Sequence, residues 1–324
     1  MTSNPGPAVL VLKNWQEVLA EVNKRIKKTR SEGESIWFRG QNEPWPVRSK
    51  LHRYILDLEK SAGKEGQVSR KELASLLLRE FQTMFQVFGQ KSVHLLPPIE
   101  QGPWGRVFSM QHYGIPTPLV DFSESFALAV YMANWNRDPN KDAAIYILEP
   151  LKMNAQSHVG PHQVALNDDS PGFVSRALTE LYHPTLYSSV PEEIIAPEEL
   201  KDRTQLPSLA VTPTAINGRM RAQKAAFVLS SPSFDPIDEA SEDAILKIVL
   251  SASTYEDSID WLNLVGFEHV EYFPDIWGVS VDFELRSGHA KRLAEEIARE
   301  ADGNHSQDIS NATRSDTEEG IRDS

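Results

Sequence analysis

Two short runs of polar residues, interrupted by glycine and proline, constrain this chain more than any other part of it. The first run is Trp37-Phe38-Arg39-Gly40-Gln41, and the second is Gln111-His112-Tyr113-Gly114-Ile115-Pro116-Thr117-Pro118-Leu119-Val120-Asp121-Phe122-Ser123. Glycine and proline fix unusual backbone conformations, and each run falls where a strand or a helix is predicted to end. Binding and catalytic residues collect at such ends. We therefore expect a functional site to be built from these two runs.

The composition is typical of a soluble globular protein and excludes several classes. Of the 324 residues, 40% are hydrophobic, and no apolar run approaches the roughly 20 residues that cross a bilayer. Cysteine is absent, which excludes disulfides, thiolate metal sites and cysteine nucleophiles. The net charge of −13 argues against broad nucleic-acid binding, which needs a basic face. With no signal-peptide pattern at the N-terminus, we expect a cytoplasmic protein without a membrane partner.

Hydrophobic spacing predicts helices and strands in mixed order along the chain. Apolar periodicity and capping signals predict helices at 14–29, 104–113, 124–134 and 289–301, and from capping boxes at 69–72 and 253–256. Short apolar runs predict strands at 35–38, 144–148, 226–229 and 244–250. Either Asp121 or Ser123 is expected to cap the helix at 124–134.

These elements predict the domain organisation. We expect residues 1–10 to be a flexible lead and residues 11–300 to form a single α+β domain. Its central sheet is predicted to be largely antiparallel and flanked by helices. Residues 152–212 are irregular and rich in proline and charge, which predicts an insertion or a lid. Residues 301–324 lack the apolar residues needed to fold and are expected to be a disordered acidic tail.

Several common chemistries have no motif in the chain. There is no glycine-rich phosphate loop, no Walker-type run and no Gly-x-Ser-x-Gly elbow. His158 and His162 have the spacing of zinc ligands on a helix, but Gly160 and Pro161 between them would break a helix. No metal site is therefore predicted.

The two runs themselves carry groups that suit an anionic, aromatic ligand. Arg39 can form bidentate hydrogen bonds to a phosphate, Tyr113 can stack on a flat ring, and a helix start at Ser123 would favour an anion. The alternative is that Arg39 and Asp121 form a buried ion pair that holds two segments together.

A second alternative concerns charge. Arg39, Arg48, Lys50 and Arg53 cluster within fifteen residues of sequence, and they either line a local basic pocket or decorate a solvated loop. Both interpretations remain open at the level of sequence.

The same runs resemble the FRG domain family. Trp37-Phe38-Arg39-Gly40-Gln41 is similar to the aromatic-Arg-Gly signature of that family. The segment from Gln111 to Phe126 is similar to its second block, Gln-His-Tyr-Gly-Leu-Pro-Thr-Arg-Leu-Leu-Asp-Trp-Thr-x-Ser-Pro. Later resemblances are to the blocks Arg-x-x-x-Gln-x-Gly-x-Phe and Phe-Pro-Asp, matched by Arg219, Gln223, Phe227 and by 273–275. Departures are Pro118 in place of Arg, Ala225 in place of Gly and Phe126 in place of Pro.

The resemblance implies a function. FRG proteins occur in bacteria and phages, in settings of defence or toxin systems. The aromatic-Arg-Gly run also resembles the first motif of ADP-ribosyltransferases. This resemblance implies an ADP-ribosyltransferase-like fold, NAD as the substrate, and activity as an ADP-ribosyltransferase or an NAD glycohydrolase. In that role Arg39 would hold the pyrophosphate, Tyr113 would stack on nicotinamide and Gln223 would bind the ribose.

Further residues and alternatives complete these expectations. By the same resemblance Gln41, His112, Ser123 and Arg219 are expected to contact the substrate. One alternative is a non-catalytic module that recognises a nucleotide, a nucleic-acid end or a phage protein. Another is a toxin-like nuclease in which His112 acts and Arg39 holds the scissile phosphate.

Overall fold

A computed structural model describes residues 8–92, 94–157, 160–162, 164–166, 207–213, 217–241, 243–276 and 278–283. The chain divides into two compact units, 1–267 and 268–324. The predicted helix at 289–301, the acidic tail at 301–324 and His158 lie outside the described residues, as does most of the predicted insertion at 152–212.

One eight-stranded sheet organises the first unit. Its strands are β1 Ala8–Leu12, β2 Trp37–Gln41, β3 Leu119–Ser123, β4 Ala143–Leu148, β5 Val164–Leu166, β6 Leu209–Pro213, β7 Ala225–Leu229 and β8 Ile245–Leu250. They lie in the order β1-β8-β4-β2-β3-β7-β6-β5. Only the two edge pairs, β1 with β8 and β5 with β6, are parallel. The prediction of a single, largely antiparallel sheet flanked by helices is confirmed.

The described helices of the first unit are α1 Trp15–Ser31, α2 Lys50–Ser61, α3 Arg70–Ser92, α4 Pro103–His112, α5 Phe126–Asn134, α6 Pro150–Ala155, α7 Gly218–Ala222, α8 Ile237–Ala240 and α9 Tyr255–Leu264. The second unit contains α10 His269–Tyr272. The capping box predicted for α3 is confirmed, because the backbone N–H of Ser69 donates to Glu72 and that of Glu72 donates back to Ser69 Oγ.

Two predicted caps are wrong. The N-cap of α5 is Ser125, whose hydroxyl accepts from the backbone N–H of Leu128, and not Asp121 or Ser123, because those two residues remain in β3. The box at 253–256 does not cap α9 either. A short 3-10 helix, Ala252–Thr254, leads directly into α9 there, and no side chain caps its start.

The ends of the sheet depart from the sequence predictions. β1 begins at Ala8, within the segment 1–10 that is predicted as a flexible lead, and it pairs along its whole length with β8. β5 and the start of β6 lie within 152–212, predicted as irregular. Such short edge strands are specified by their partner strands more than by their own sequence pattern.

Apolar side chains cover both faces of the sheet. On one face, α2, α3 and α4 pack over Leu119, Phe227 and Leu229. The buried residues of α3 in this cluster are Leu73, Leu77, Phe81 and Phe85. On the opposite face, Trp37, Val120, Phe122, Tyr146 and Val228 form a second buried cluster. Alternate residues of one strand point to opposite faces, so β3 contributes Leu119 to one cluster and Val120 to the other.

A glycine brings α5 against the middle of β2. A Cβ atom added to Gly40 would lie 1.9 Å from the carbonyl oxygen of Ala129 and 2.6 Å from the backbone nitrogen of Ala133. No side chain fits at these distances, so the strand and the small-residue helix approach closely only because residue 40 is glycine. This contact fixes the neighbouring Arg39 on the opposite face of β2.

Candidate functional site

β2 and β3 separate almost as soon as they meet. Their pairing consists of one residue pair, Phe38 with Ser123, whereas β3 pairs with β7 over five residues. Arg39 reaches from β2 towards β3, where its Nη1 donates to the backbone carbonyl of Asp121 at 2.8 Å. The two sequence runs therefore meet at this separation.

A cavity of about 210 Å³ lies at this place. Arg39 comes from β2, and Leu119, Val120 and Asp121 come from β3. The start of α2 and the loop before it supply Arg48, Ser49, Lys50 and Arg53, and the segment around the end of α4 supplies Gln111 and Gly114. The sequence left two interpretations of the cationic cluster, a local basic pocket or a solvated loop. The structure supports the local basic pocket, because all four cations line one cavity.

The cations of the cavity are anchored by backbone carbonyls. Arg48 donates to the carbonyl of Phe234 through Nε and Nη2, at 3.3 and 3.1 Å. Arg53 Nη1 donates to the carbonyl of Arg48 at 2.8 Å, and Lys50 Nζ donates to that of Gly114. Within the described residues none of the four cations forms an ion pair with a carboxylate. Neutral acceptors therefore hold these cations in place, without a direct ion pair to a carboxylate.

Burial makes two of these charges, those of Arg39 and Arg53, costly for the folded protein. Burial lowers the pKa of the Arg39 guanidinium; Asp121 opposes this change and the nearby cation Arg53 adds to it. Burial likewise lowers the pKa of Arg53, against the influence of Asp121 and Asp57. Arginine remains protonated in proteins, so a bound anion would relieve this repulsion.

The second sequence run orients the one carboxylate of the cavity. Gln111 Nε2 donates to Asp121 Oδ2 at 2.8 Å, and Gln111 Oε1 accepts from the buried hydroxyl of Thr117. Thr117 Oγ1 in turn accepts from the backbone N–H of Leu119 at 3.2 Å. Gly114, at a φ of 74°, provides the left-handed turn that brings Thr117 back to Gln111.

A fastened loop places the start of α2 beside the cavity. Residues 42–49 connect β2 to α2. The carbonyl of Trp45 accepts from Gln41 Nε2 at 2.8 Å and from the hydroxyl of Tyr146. Asp238 Oδ1 accepts from the backbone N–H of Val47 at 2.8 Å, and Ser49 caps α2. Burial raises the pKa of the Tyr146 hydroxyl, which keeps it protonated as a donor.

Of the residues predicted from the two runs, Arg39 lines the cavity and Gln41 supports it. Gln41 Oε1 accepts from Arg39 Nε at 3.3 Å, so Gln41 orients the guanidinium from behind. His112 and Tyr113 make an edge-to-face contact with ring centroids 4.8 Å apart. Neither lines the cavity, although the adjacent Gly114 does, and the Tyr113 side chain is 66% exposed.

The other predicted site residues, Ser123, Arg219 and Gln223, lie together at the junction of β3 and α7 and do not line the cavity. Ser123 is buried; its hydroxyl donates to the carbonyl of Gln223 at 2.6 Å and accepts from the backbone N–H of Ser125 at 2.8 Å. Gln223 follows the last residue of α7, and its backbone N–H donates to the carbonyl of Arg219. Ser123, Arg219 and Gln223 are not among the residues that line the cavity. The structure therefore joins them to each other and separates them from it.

Sequence reasoning missed part of the site. Arg48, Lys50 and Arg53 were visible as a cationic cluster, whereas Gln111 and Thr117 carried no signal apart from their place in the second run. Tyr146 and Asp238, which fasten the loop at 42–49, lie in segments that local sequence treats as ordinary strand and loop.

Elsewhere three carboxylates approach one another. Ligand atoms of Glu32, Glu34 and Glu149 lie within 4.8 Å of each other. Glu149 already pairs with Arg25 and Lys28, each at 3.4 Å, so two cations occupy the most buried of these groups.

Comparison with known proteins identifies the region that contains the cavity. Residues 34–142 match the model of the FRG domain, and every residue that lines the cavity lies inside this range. This part of the chain is an FRG domain. No curated protein and no solved structure matches the chain. Among the described residues, no helix is both long and apolar enough to cross a membrane.

Proposed function

We propose that the FRG domain binds the phosphate groups of a nucleotide in the cavity between β2 and β3. The observation that carries this proposal is the set of four anchored cations, Arg39, Arg48, Lys50 and Arg53, on one wall. Each donates to a backbone carbonyl, and none has a carboxylate partner within the described residues. Guanidinium groups match the oxygens of a phosphate geometrically as well as electrostatically.

Two further features support a phosphate ligand. Nη2 of Arg39 and Nη2 of Arg53 have no hydrogen bond to any described residue, so each guanidinium keeps donors for a ligand. The capped start of α2 lies on the same wall through Ser49 and Lys50. The partial positive charge of a helix N-terminus adds to the attraction for an anion.

The size of the cavity limits how much of the nucleotide it holds. Its volume of about 210 Å³ is below the range of about 300–1,000 Å³ for sites that enclose a whole ligand. The cavity therefore holds the phosphates and an adjoining sugar, while the base lies outside. The exposed ring of Tyr113, next to Gly114 on the cavity wall, is the aromatic surface that such a base would stack on.

The nucleotide that we propose is NAD, and the reaction is its cleavage by an ADP-ribosyltransferase-like or NAD glycohydrolase-like enzyme. The bond between nicotinamide and C1 of the ribose would break, and nicotinamide would leave with the bonding electron pair. Water or another nucleophile would bond to C1 and release its proton to solvent. Arg39 and Arg53 would hold the pyrophosphate during this step. The cavity does not support the ribose contact expected of Gln223, and Asp121 is its one lining carboxylate.

The phosphate proposal is tested by calorimetric titration with inorganic pyrophosphate and with NAD. We expect both ligands to bind and to compete. Arg53→Ala, which removes a partly exposed cation, should weaken both by at least about tenfold. Arg39→Ala should do the same if it folds. Arg30→Ala, an exposed arginine of α1, is the matched control and should bind as the wild type does. Unchanged affinity in both cavity variants would overturn the proposal.

Turnover separates the enzyme from a recognition module. Nicotinamide release from NAD by the wild type, lost in Arg53→Ala, would establish an NAD-consuming enzyme, the activity that we propose to act in phage defence or in a toxin system. Saturable binding of NAD without release of nicotinamide would instead identify a nucleotide sensor. Cleavage of RNA that depends on His112 would favour the nuclease alternative over both.

A further inference from the structure

Among the described residues that line the cavity, there are four cations and one carboxylate, Asp121. Asp121 Oδ2 accepts from Gln111 at 2.8 Å, while Oδ1 has no hydrogen bond to any described residue. The side chain is exposed to the cavity rather than buried in the sheet. An acceptor is thus presented to whatever ligand the four cations attract.

The carboxylate acts on Arg39 and Arg53 through space but forms no direct ion pair with either of them. The backbone carbonyl of Asp121, not its carboxylate, accepts from Arg39 Nη1 at 2.8 Å. An ionised carboxylate only accepts hydrogen bonds, so it repels any ligand oxygen that carries charge without a proton. The same carboxylate attracts a ligand oxygen that carries a hydrogen.

The orientation of Asp121 is built into the second run. Gln111 holds one carboxylate oxygen, and the fully buried Thr117 holds Gln111. Thr117 also accepts from the backbone N–H of Leu119, which lies in β3 together with Asp121. This chain of hydrogen bonds therefore has few alternative arrangements. A ligand must therefore donate a hydrogen bond to Asp121 Oδ1 in the position that this chain of hydrogen bonds gives it.

We infer that the cavity selects anions that carry their own O–H donor: hydrogen phosphate, or a phosphorylated sugar with a neighbouring hydroxyl. The inference rests on the proposed function and deepens it by naming the class of ligand. The cations supply attraction for the charged oxygens, and Asp121 accepts the hydrogen bond. Sulfate, which has the same shape but no proton near neutral pH, satisfies the cations and leaves the carboxylate facing a charged oxygen.

Calorimetric titration of the wild-type protein at mildly alkaline pH tests this selection. We expect inorganic phosphate to bind at least about tenfold more tightly than sulfate. Asp121→Asn, which keeps the size of the side chain and offers a donor, should strengthen sulfate binding and bring the two affinities close together. Asp260→Asn, an exposed carboxylate of α9, removes one charge away from the cavity and should keep the wild-type ratio.

Two esters distinguish the source of the donor. Methyl phosphate as a dianion has no O–H, whereas ribose 5-phosphate has sugar hydroxyls. Tighter binding of ribose 5-phosphate than of methyl phosphate, lost in Asp121→Asn, assigns the donor to the sugar. Equal binding of the two esters, with phosphate still preferred over sulfate, assigns it to the phosphate group.

The outcomes separate the two proposals. If phosphate and sulfate bind the wild type equally well, or if Asp121→Asn keeps the wild-type preference, the selection is wrong although the phosphate site stands. If no phosphate, pyrophosphate or sulfate binds, the proposed function itself fails.

Discussion

Arg39 meets Asp121 at its backbone carbonyl, 2.8 Å from Nη1, and not at its carboxylate. The two residues are 82 positions apart in the chain, and the contact joins the two glycine-containing and proline-containing runs. The interpretation of these residues as a buried ion pair is therefore wrong, because Gln111 holds the carboxylate. Because the guanidinium of Arg39 and the carboxylate of Asp121 do not form an ion pair with each other, both can contact a ligand.

The close approach of β2 and α5 predicts that Gly40→Ala is strongly destabilising. Its Cβ would overlap the carbonyl oxygen of Ala129, and backbone on both sides would have to move. We expect a loss of about 3 kcal/mol in the free energy of unfolding, measured by denaturant titration. Gly218→Ala is the matched control, since nothing lies within 4 Å of its added Cβ, and its stability should stay within about 1 kcal/mol of the wild type.

Thr117→Val should weaken both the fold and the proposed ligand selection. Valine keeps the shape of threonine, but it leaves the N–H of Leu119 and Oε1 of Gln111 without their partner. We expect a loss of about 1–3 kcal/mol in stability and a smaller preference for phosphate over sulfate. Thr83→Val, on the exposed side of α3, should change neither. A stable Thr117→Val protein would show that this hydrogen-bond chain is not needed for folding.

The lowered pKa of His52 predicts that the protein loses stability in mild acid. Burial, with a smaller contribution from the adjacent cation Arg48, lowers the pKa of His52 to about 4, while the unfolded value is near 6.5. Between these two pH values His52 is protonated in the unfolded state and neutral in the folded state. The free energy of unfolding therefore falls as the pH drops from about 6.5 to 4. The full effect is about 3 kcal/mol.

Denaturant titration from neutral to acidic pH measures this effect. His52→Gln lacks the titrating group and should lose less stability than the wild type over the same pH window. His94→Gln, at an exposed position, should follow the wild-type curve. Parallel curves for the wild type and His52→Gln would contradict the assignment.

Tyr146→Phe should loosen the loop at 42–49. The hydroxyl of Tyr146 donates to the carbonyl of Trp45 and accepts from Gln41 at 3.4 Å. Its removal should cost about 1–2 kcal/mol in stability and weaken pyrophosphate binding, because this loop carries Arg48 to the cavity. The control is Tyr54→Phe, a half-buried tyrosine on α2, which should leave pyrophosphate affinity unchanged.

Much of the fold could be predicted from local sequence. The capping box at Ser69 and the strands at β2, β4, β7 and β8 follow from capping signals and propensity, and the structure confirms them. α2 had no predicted counterpart. The edge strands β1 and β5 were missed because their pairing partners, not their own residues, specify them.

The site was predicted in part. Arg39 and Gln41 lie where the first run indicates, and the cationic cluster forms one wall of the cavity. Ser123 was expected to contact a ligand, but its hydroxyl donates to the backbone carbonyl of Gln223 at the junction of β3 and α7. Residue type alone does not distinguish a polar group that binds a ligand from one that closes a turn, because both need the same hydroxyl or amide.

Sequence by itself determined which residues are able to form this site: an arginine beside a glycine, a threonine and a glutamine in the same run as one carboxylate, and three further cations close together in the chain. Tertiary structure alone decided that these groups surround one cavity. The deciding feature is the single residue pair between β2 and β3, which lets the strands separate and leaves room for a ligand. Strand order and the length of a ladder depend on contacts between distant segments, and those contacts have no counterpart in local periodicity.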